Sequence, residues 1–246
     1  MEINILKTDV QQIQLLRNLF LHENHFQFVY NKCHLYGWAD TYSFIIDDVI
    51  TGYGAVWGKD RREDRDTIFE FYIIDTFRKY TNNIFEKFKD ACGATFIRCQ
   101  TNDALLSSLL YEHTANINAE AILFEDNFQT NFFILQLSLE KDKRENNNPN
   151  DCAYILKLQD ETVATGGLML NYNLPYADVY YEVKEDYRRK GFGSFMLQQL
   201  KKEAYKMQRV PAARCNIKNT ISKSALLKAG FKICGFIVTG EIIKKA

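Results

Sequence analysis

The chain has 246 residues, of which 46% are hydrophobic and 25% are charged, a composition typical of a folded globular protein. Its apolar runs, such as 132–135, are too short to cross a bilayer, and its first residues lack the basic and apolar segments of a secretory signal. The net charge is zero, yet residues 1–150 carry 15 Lys+Arg against 22 Asp+Glu, whereas residues 151–246 carry 16 against 9. The positive balance of the second half favours an anionic partner there, with nucleotide cofactors, nucleic acid and a membrane surface as the candidates.

Hydrophobic periodicity predicts strands and helices along the whole chain. In the first half it predicts helices at 9–28, 83–91 and 103–113, and strands at 4–7, 41–47, 49–57, 67–74, 95–100, 119–125 and 131–139. Residues 141–150 lie in a polar stretch with three consecutive Asn, and we interpret them as a linker. In the second half the pattern predicts helices at 193–207 and 222–229, and strands at 153–158, 162–170, 178–183, 212–217, 232–238 and 240–244.

The two halves also resemble each other in sequence. Residues 71–79 match 181–189 in pattern, and the pair Arg98-Cys99 matches Arg214-Cys215 at a similar separation. We infer a tandem duplication with an N-terminal domain over 1–140 and a C-terminal domain over 151–246. Chance similarity of two unrelated α/β segments is the alternative.

The strongest local signal for chemistry is the heptapeptide 188–194, Arg-Arg-Lys-Gly-Phe-Gly-Ser, between a predicted strand and a long helix. Its two glycines allow a tight turn and a close approach of the backbone to a ligand. The following helix supplies free N–H groups and the positive end of its dipole, so the turn suits a diphosphate. A Walker loop is absent, and Met196 stands where a dinucleotide fingerprint needs a third glycine. A glycine turn with a solvated basic run is the alternative interpretation of the heptapeptide alone.

Two motifs give the second half a family resemblance. Residues 183–193 resemble the cofactor signature of the GNAT superfamily of N-acetyltransferases, Arg/Gln-x-x-Gly-x-Gly/Ala after the fourth strand. The segment Asn219-Thr-Ile-Ser222 and the later pair Gly230-Phe231 are similar to that superfamily's Asn-x-x-Ser segment and closing Gly-Phe. The resemblance is clear over 153–243 and, through the repeat, weak over 3–139. It implies an α/β (α+β) fold of tandem GNAT-like domains. Each has a central mixed, mostly antiparallel sheet flanked by helices, and a splayed strand pair in the C-terminal domain binds coenzyme A.

The resemblance implies acetyl-CoA as co-substrate, no metal, and a specific set of cofactor-binding residues. The set comprises Val183, Arg188, Arg189, Lys190, Gly191, Phe192, Gly193, Ser194, Asn219 and Ser222. The backbone amides from Gly191 to Ser194 are expected to hold the pyrophosphate. The strand that ends at Val183 is expected to pair with the pantetheine arm, with an N–H near the thioester oxygen.

The acid and base residues are less clearly marked. Acyl transfer to an amine needs a group that takes the amine's proton. Glu182 is the first candidate, because desolvation near the thioester could raise its pKa. A solvated or structural Glu182 is the alternative, and Asp178 is a weaker candidate base. Leu226 stands where the superfamily often has a tyrosine acid, which leaves Ser224, a water or no acid at all.

Cys215 could suggest an acyl-cysteine route, but the second half has no His to activate it, which favours a structural thiol. Six cysteines without a CxxC pair indicate a reduced, cytoplasmic protein rather than a disulfide framework or a zinc site.

The first half lacks the glycine turn. Thr81 and Asn83 stand where Gly191 and Gly193 stand in the second half, so we expect no coenzyme A binding there. Compared with the superfamily that it resembles, the second half alone lacks the first strand and two helices that usually frame the acceptor cleft. We expect the first half to supply that wall, and Tyr172, Tyr176 and Tyr180 could form another.

The leading hypothesis is an N-acetyltransferase that moves an acetyl group from acetyl-CoA to a primary amine of a small molecule or peptide, by direct transfer in a ternary complex. A non-catalytic acyl-CoA-binding or scaffold protein is the alternative. Nucleic-acid binding through 188–190 and 201–206 is disfavoured, because a basic stripe on one helix is usually a solvated face. We expect no membrane partner, and a monomer or homodimer.

Overall fold

The computed structural model describes residues 1–24, 26, 30–142, 151–170 and 174–243, without the side chains of 151 and 152. The helices are α1 (Gln14–Glu23), α2 (Asn31–Leu35), α3 (Thr81–Cys92), α4 (Ala104–His113), α5 (Phe192–Lys206) and α6 (Thr220–Lys228). The strands are β1 (Ile3–Thr8), β2 (Asp40–Ile46), β3 (Val49–Trp57), β4 (Thr67–Ile73), β5 (Phe96–Gln100), β6 (Thr114–Asp126), β7 (Leu137–Lys141), β8 (Asp151–Leu158), β9 (Glu161–Met169), β10 (Tyr176–Val183), β11 (Val210–Asn216) and β12 (Phe231–Ile242). Short 3-10 helices, Asp75–Tyr80 and Glu185–Tyr187, precede α3 and α5.

Most predicted elements are present, and three differ for identifiable reasons. The helix predicted over 9–28 is shorter, because Asn24 caps the end of α1. Both its backbone N–H and its side-chain amide donate hydrogen bonds to the carbonyl of Phe20. The strand predicted over 131–139 begins only at Leu137. The Gln198 side chain accepts the N–H of Phe132 and donates to its carbonyl, so these groups are not available to a strand partner. The last two predicted strands are the single strand β12. Of the predicted linker 141–150, residues 143–150 lie outside the described residues.

The chain packs as two compact units. The first comprises Met1–Phe26, Asn31–Glu120 and Phe236–Ala246, and the second comprises mainly Ala121–Gly235. The end of β12 therefore belongs to the first unit, whereas the end of β6 belongs to the second.

The first unit is built on a mixed sheet in the order β1-β2-β3-β4-β5-β12. Only β4 and β5 among these neighbours run parallel, and they pair at Thr67 and Ile68 alone. Apolar residues of α3 at Ile84, Phe85 and Phe88 share one helix face and are fully buried against the sheet. The core of this unit therefore lies between α3 and the sheet.

The second unit repeats this arrangement with the strand order β6-β11-β10-β9-β8-β7. Here β10 and β11 form the parallel pair, and the other neighbours are antiparallel. Strand β7 pairs with β8 and gives the second unit a first strand, which comes from residues before the half 151–246 that was expected to lack one. Helix α5 packs on β9, β10 and β11, where Gly166 leaves room for the side chain of Met196.

A buried lysine ties this unit together. Lys201 of α5 is 1% exposed, and its ammonium lies 2.7 Å from a carboxylate oxygen of Asp126. It also donates to the carbonyls of Phe128 (2.7 Å) and Ala229 (3.1 Å). The expectation of a solvated basic stripe over 201–206 is therefore wrong for Lys201, which fixes the end of β6 to the end of α6.

Some general features follow from the described part of the chain. None of its helices is long and apolar enough to cross a membrane. It contains no group of three or more His, Cys, Asp or Glu side chains arranged to hold a metal ion. Its free cysteines are Cys33, Cys92, Cys99, Cys215 and Cys234.

Candidate functional site

The parallel strands of the second unit separate along their length. Strands β10 and β11 pair from Tyr176–Val210 to Asp178–Ala212. Beyond Asp178, β10 is paired only with β9, and β11 is paired only with β6. Amides alternate along a strand, and Lys184 donates its N–H to the carbonyl of Val163 on β9. The amides of Val183 and Tyr181 therefore face the gap. An extended ligand inserted there would meet unpaired backbone groups, as an added strand does.

The glycine turn lies directly after β10. Gly191 precedes the first helical residue of α5 with φ of 83°, a left-handed conformation that glycine adopts without strain. A side-chain carbon at Gly193 would come within 3.1 Å of the Tyr181 ring, so glycine lets the helix start lie close to β10. The amides of Phe192, Gly193 and Ser194 are the first-turn amides of α5, which have no acceptor within their own helix. A left-handed glycine followed by free first-turn amides is therefore present directly after β10.

The cations near the turn are mostly directed outward. Arg188 is exposed, and its Nε donates to the carbonyl of Val183 at 3.2 Å, while Glu185 lies 4.0 Å from its guanidinium. Arg189 is exposed and has a φ of 63°. The Lys190 ammonium lies 5.0 Å from the centre of the Tyr187 ring. Arg188 is the cation whose side chain is fixed between β10 and the turn.

A cavity of about 480 Å³ opens beside the turn. Nine of the ten predicted cofactor residues belong to this site, eight as lining residues and Phe192 through its backbone at the helix start. The lining also includes Ile221, Ser224, Ala225 and Lys228 of α6. Its size is within the usual range for small-molecule sites. The side chains of Lys190 and Phe192 are outside the lining, and Lys190 has no part in the helix start.

Helix α6 forms the far wall of this cavity. The side-chain oxygen of Asn219 accepts the N–H of Ser222 at 2.9 Å, which caps the start of the helix. The Tyr181 hydroxyl donates to the Ser222 hydroxyl at 3.4 Å. Burial raises the pKa of Tyr181, and the hydrogen bond with Ser222 offsets part of this rise. Asn219 thus positions the helix, and Ser222 links it to β10.

A second cavity of about 200 Å³ lies past the point where β10 and β11 separate. Asp178 is buried at its wall, with Arg214 of β11 at 3.7 Å from the carboxylate. Tyr180 and Leu226 also line it, whereas Tyr176 does not, and Tyr172 lies outside the described residues. Sequence reasoning noted Arg214 only as part of the repeat and did not place it beside Asp178.

Glu182 lies on β10 between Tyr181 and Val183 and lines the first cavity. Its side chain is exposed, so burial does not provide the desolvation expected from sequence. Ser224 also lines that cavity, and its hydroxyl donates to the carbonyl of Thr220 at 2.9 Å. Cys215 is buried, and desolvation raises the pKa of its thiol, as expected of a structural cysteine.

The matching turn of the first unit has a different structure. Thr81 begins α3 with helical φ and ψ, and its hydroxyl donates to the carbonyl of Arg78 at 2.7 Å. Arg78 donates to the carbonyl of Ile73, as Arg188 does to Val183, but its charge also contacts Glu23 and Asp75. This turn therefore lacks the left-handed residue at the helix start, and its arginine has one acidic contact, with Glu23, in addition to the kind that Arg188 makes with Glu185.

The divided parallel strand pair, the glycine turn before α5 and the capped helix α6 are features of an acetyltransferase fold. Family models agree: the acetyltransferase (GNAT) domain matches residues 9–127, and the acetyltransferase (GNAT) family matches residues 118–231. The chain therefore belongs to the GNAT family of acetyltransferases. The prediction of tandem GNAT-like domains, each with a mixed sheet flanked by helices, is confirmed.

Solved structures show the same fold. A GNAT-family acetyltransferase from Colwellia psychrerythraea has a TM-score of 0.79 at 14% identity, over 99% of this chain and 100% of that one. A tandem GNAT protein from the clavulanic acid biosynthesis pathway has a TM-score of 0.65 at 9% identity, with both chains covered completely. A GCN5-related N-acetyltransferase from Sphaerobacter thermophilus has a TM-score of 0.56 at 10% identity, over 84% of this chain and 82% of that one. No curated protein matches the chain in sequence.

Proposed function

We propose that the second unit binds acetyl-CoA and transfers its acetyl group directly to a primary amine of a small molecule or peptide. The observation that carries this proposal is the cavity beside the Gly191 turn, whose lining combines first-turn amides of α5 with Arg188 and Arg189. The amides receive the pyrophosphate, and the pantetheine arm runs along the unpaired side of β10. No metal takes part in this proposal.

The chemistry requires a base on the acceptor side. Glu182 remains our first candidate, acting directly or through a water, since its exposed carboxylate can accept a proton from an incoming ammonium. Asp178 is the second candidate. Its buried carboxylate beside Arg214 lies in the smaller cavity and can attract the cationic acceptor before it is deprotonated.

We also propose that the first unit binds no coenzyme A. In its turn Thr81 is helical and hydrogen-bonded, and Arg78 is paired with acidic side chains. A diphosphate would have to displace these contacts, and this turn has no glycines that would let it approach the backbone amides.

Gly191→Asp tests the proposed cofactor site. A side chain at Gly191 meets nothing closer than 3.8 Å, so the substitution adds charge without a clash. A carboxylate beside the pyrophosphate should weaken acetyl-CoA binding by on the order of 100-fold, because like charges repel. Calorimetric titration measures the affinity, and release of CoA thiol with a panel of primary amines measures the turnover.

Gly191→Asn is the matched control. Asparagine has nearly the same shape as aspartate, tolerates the left-handed conformation and carries no charge. It should lose at most a small fraction of the affinity that Gly191→Asp loses. Equal affinities of both variants and the unchanged protein would reject the site.

The alternative is a protein that binds acyl-CoA without catalysis. Leu226 at the position of the usual acid and the exposure of Glu182 favour it. It predicts acetyl-CoA binding that Gly191→Asp abolishes, together with no acetyl transfer to any amine of the panel and no effect of Glu182→Gln.

A further inference from the structure

The cofactor cavity and the smaller cavity share part of their lining. Tyr181 of β10 and Ser222 of α6 line both. If the proposed function holds, the acetyl group must pass from the cofactor side to the acceptor side. The boundary between the two cavities is therefore where the carbon–sulfur bond breaks.

The side chain at this boundary is suited to donate a proton. The Tyr181 ring lies against the start of α5, where a side-chain carbon at Gly193 would be 3.1 Å from it. Its hydroxyl hydrogen-bonds the Ser222 hydroxyl across the space between β10 and α6. Burial raises the pKa of Tyr181, so the phenol keeps its proton at neutral pH.

The helix that follows has no tyrosine or other acid at this boundary. Leu226, one turn after Ser222, is 2% exposed and presents only carbon atoms to the smaller cavity. Ser224 lies on the cofactor side, and its hydroxyl is hydrogen-bonded to the helix backbone. Of the two described residues that line both cavities, Tyr181 and Ser222, Tyr181 carries the more acidic proton, because a phenol is a stronger acid than an aliphatic hydroxyl.

We infer that Tyr181 is the general acid that protonates the departing thiolate, and that Ser222 is a positioning residue that holds the phenol. The amine nitrogen forms a bond to the acetyl carbon and loses a proton to the base. The carbon–sulfur bond breaks, and its electron pair takes the Tyr181 proton to give the CoA thiol. The phenolate then regains a proton from solvent, with the Ser222 hydroxyl as its hydrogen-bond partner.

The test uses the full chain and hydroxylamine as a small probe nucleophile that needs no specific acceptor pocket. Release of CoA thiol from acetyl-CoA gives kcat, and calorimetry gives the affinity for acetyl-CoA. Tyr181→Phe should lower kcat by about 100-fold, the lower range of general acid catalysis, and leave the affinity within about threefold. Tyr205→Phe is the control, since Tyr205 donates to Asp126 and lines neither of the two cavities, and it should keep kcat within about twofold.

A second substitution separates catalysis from structure. Leu226→Tyr added to Tyr181→Phe places a phenol on the same boundary from α6 and should restore kcat by at least about tenfold. If Tyr181→Phe does not fold, Ser222→Ala decides, with an expected fall in kcat of about three- to tenfold that exceeds its loss of affinity for acetyl-CoA.

The outcomes are distinguishable from failure of the proposed function. No turnover by the unchanged protein with hydroxylamine or the amine panel rejects the transferase itself. Normal turnover with a Tyr181→Phe kcat within about twofold of the unchanged protein overturns the assignment of the acid. The assignment is also overturned if affinity, rather than kcat, accounts for the loss.

Discussion

Three glycines near the site have different structural reasons to be glycine. Gly191 needs its positive φ but has open space beside it, whereas Gly193 allows close contact between α5 and the Tyr181 ring. Gly230, which ends α6, has both constraints: its φ is 84°, and a side-chain carbon would lie 2.2 Å from the carbonyl oxygen of Phe128. Only the first two line the cofactor cavity, and the closing Gly-Phe of the motif is therefore structural.

Gly230→Ala should destabilise the second unit. The clash is with backbone, which cannot rotate away, and the left-handed conformation adds strain. We expect a loss of about 2–4 kcal/mol in the free energy of unfolding, measured by urea titration. Gly93→Ala is the matched control, because Gly93 has a φ of 66° but nothing within 4 Å of an added carbon, and it should cost about 1 kcal/mol. Equal losses in the two variants would show that the contact with Phe128 does not matter.

At the level of elements, both units contain a parallel strand pair that separates after its first residues. In the first unit, β4 continues past this point with Glu70, which is 2% exposed. Arg17 of α1 holds the carboxylate with two hydrogen bonds, at 2.9 and 3.1 Å. His34 and Tyr53 also contact it, at 3.1 and 3.0 Å. Burial opposes ionisation, but the charges of Arg17 and His34 hold the pKa of Glu70 well below its usual range.

This cluster marks a structural difference between the two units at the corresponding place on β4 and β10. In the first unit, the stretch of β4 beyond the point where β4 and β5 separate carries the buried carboxylate of Glu70, which is hydrogen-bonded to side chains of the same unit. The corresponding stretch of β10 in the second unit lines two cavities. The difference agrees with our proposal that only the second unit binds coenzyme A.

Helix α4 of the first unit begins with another buried carboxylate. Asp103 accepts the N–H of Leu106 at 3.1 Å as the helix cap, and burial, with a contribution from the Glu70 charge, raises its pKa to about 7. The folded protein therefore holds the proton more tightly than the unfolded chain. The stability that this proton contributes is present below about pH 4 and is lost as the pH rises to about 7.

Asp103→Asn should therefore stabilise the protein at high pH. Asparagine caps helices about as well as aspartate, and its amide carries no charge to bury. At pH 8 we expect a gain of about 2 kcal/mol, or about 5 °C in the melting temperature, with little gain near pH 4.5. Melting curves of this variant and of the exposed control Asp160→Asn at both pH values provide the measurement. A gain that is the same at both pH values would contradict burial of the charge as its cause.

The elements that sequence predicts well are those that local signals define. The glycine turn, the long helix after it and the Asn219 cap are each specified by neighbouring residues, so their positions agree with the structure. The start of β7 was not predictable in this way, because the competing partner of Phe132 is Gln198, 66 residues away. The hydrogen bond between Tyr181 and Ser222 also depends on long-range packing, and nothing in either segment indicates it.

At the scale of the whole molecule, the same limit applies to the division of the chain. Composition and repeats indicate two halves, yet the first unit includes residues 236–246 and the second begins near residue 121. Strand pairing decides this, since residues 237–241 of β12 pair with β5, and residues 121–125 of β6 pair with β11. A strand's partner is set by the hydrophobic face that it completes, which a linear pattern does not reveal.

The charge distribution is consistent with one anionic cofactor per chain. The excess of basic residues lies in the half that contains the glycine turn, and the acidic excess lies in the other half. The proposed cofactor, with several phosphate charges, would therefore be attracted to the half of the chain that contains the turn.

Calorimetric titration of the full-length protein with acetyl-CoA tests the central claim most directly: the Gly191 turn, and not the matching turn at Thr81, receives the pyrophosphate. We predict heat that fits one site per chain, with a Kd between about 1 μM and 1 mM, the usual range of substrate affinities. No heat with either acetyl-CoA or free coenzyme A, or two equivalent sites per chain, would contradict it.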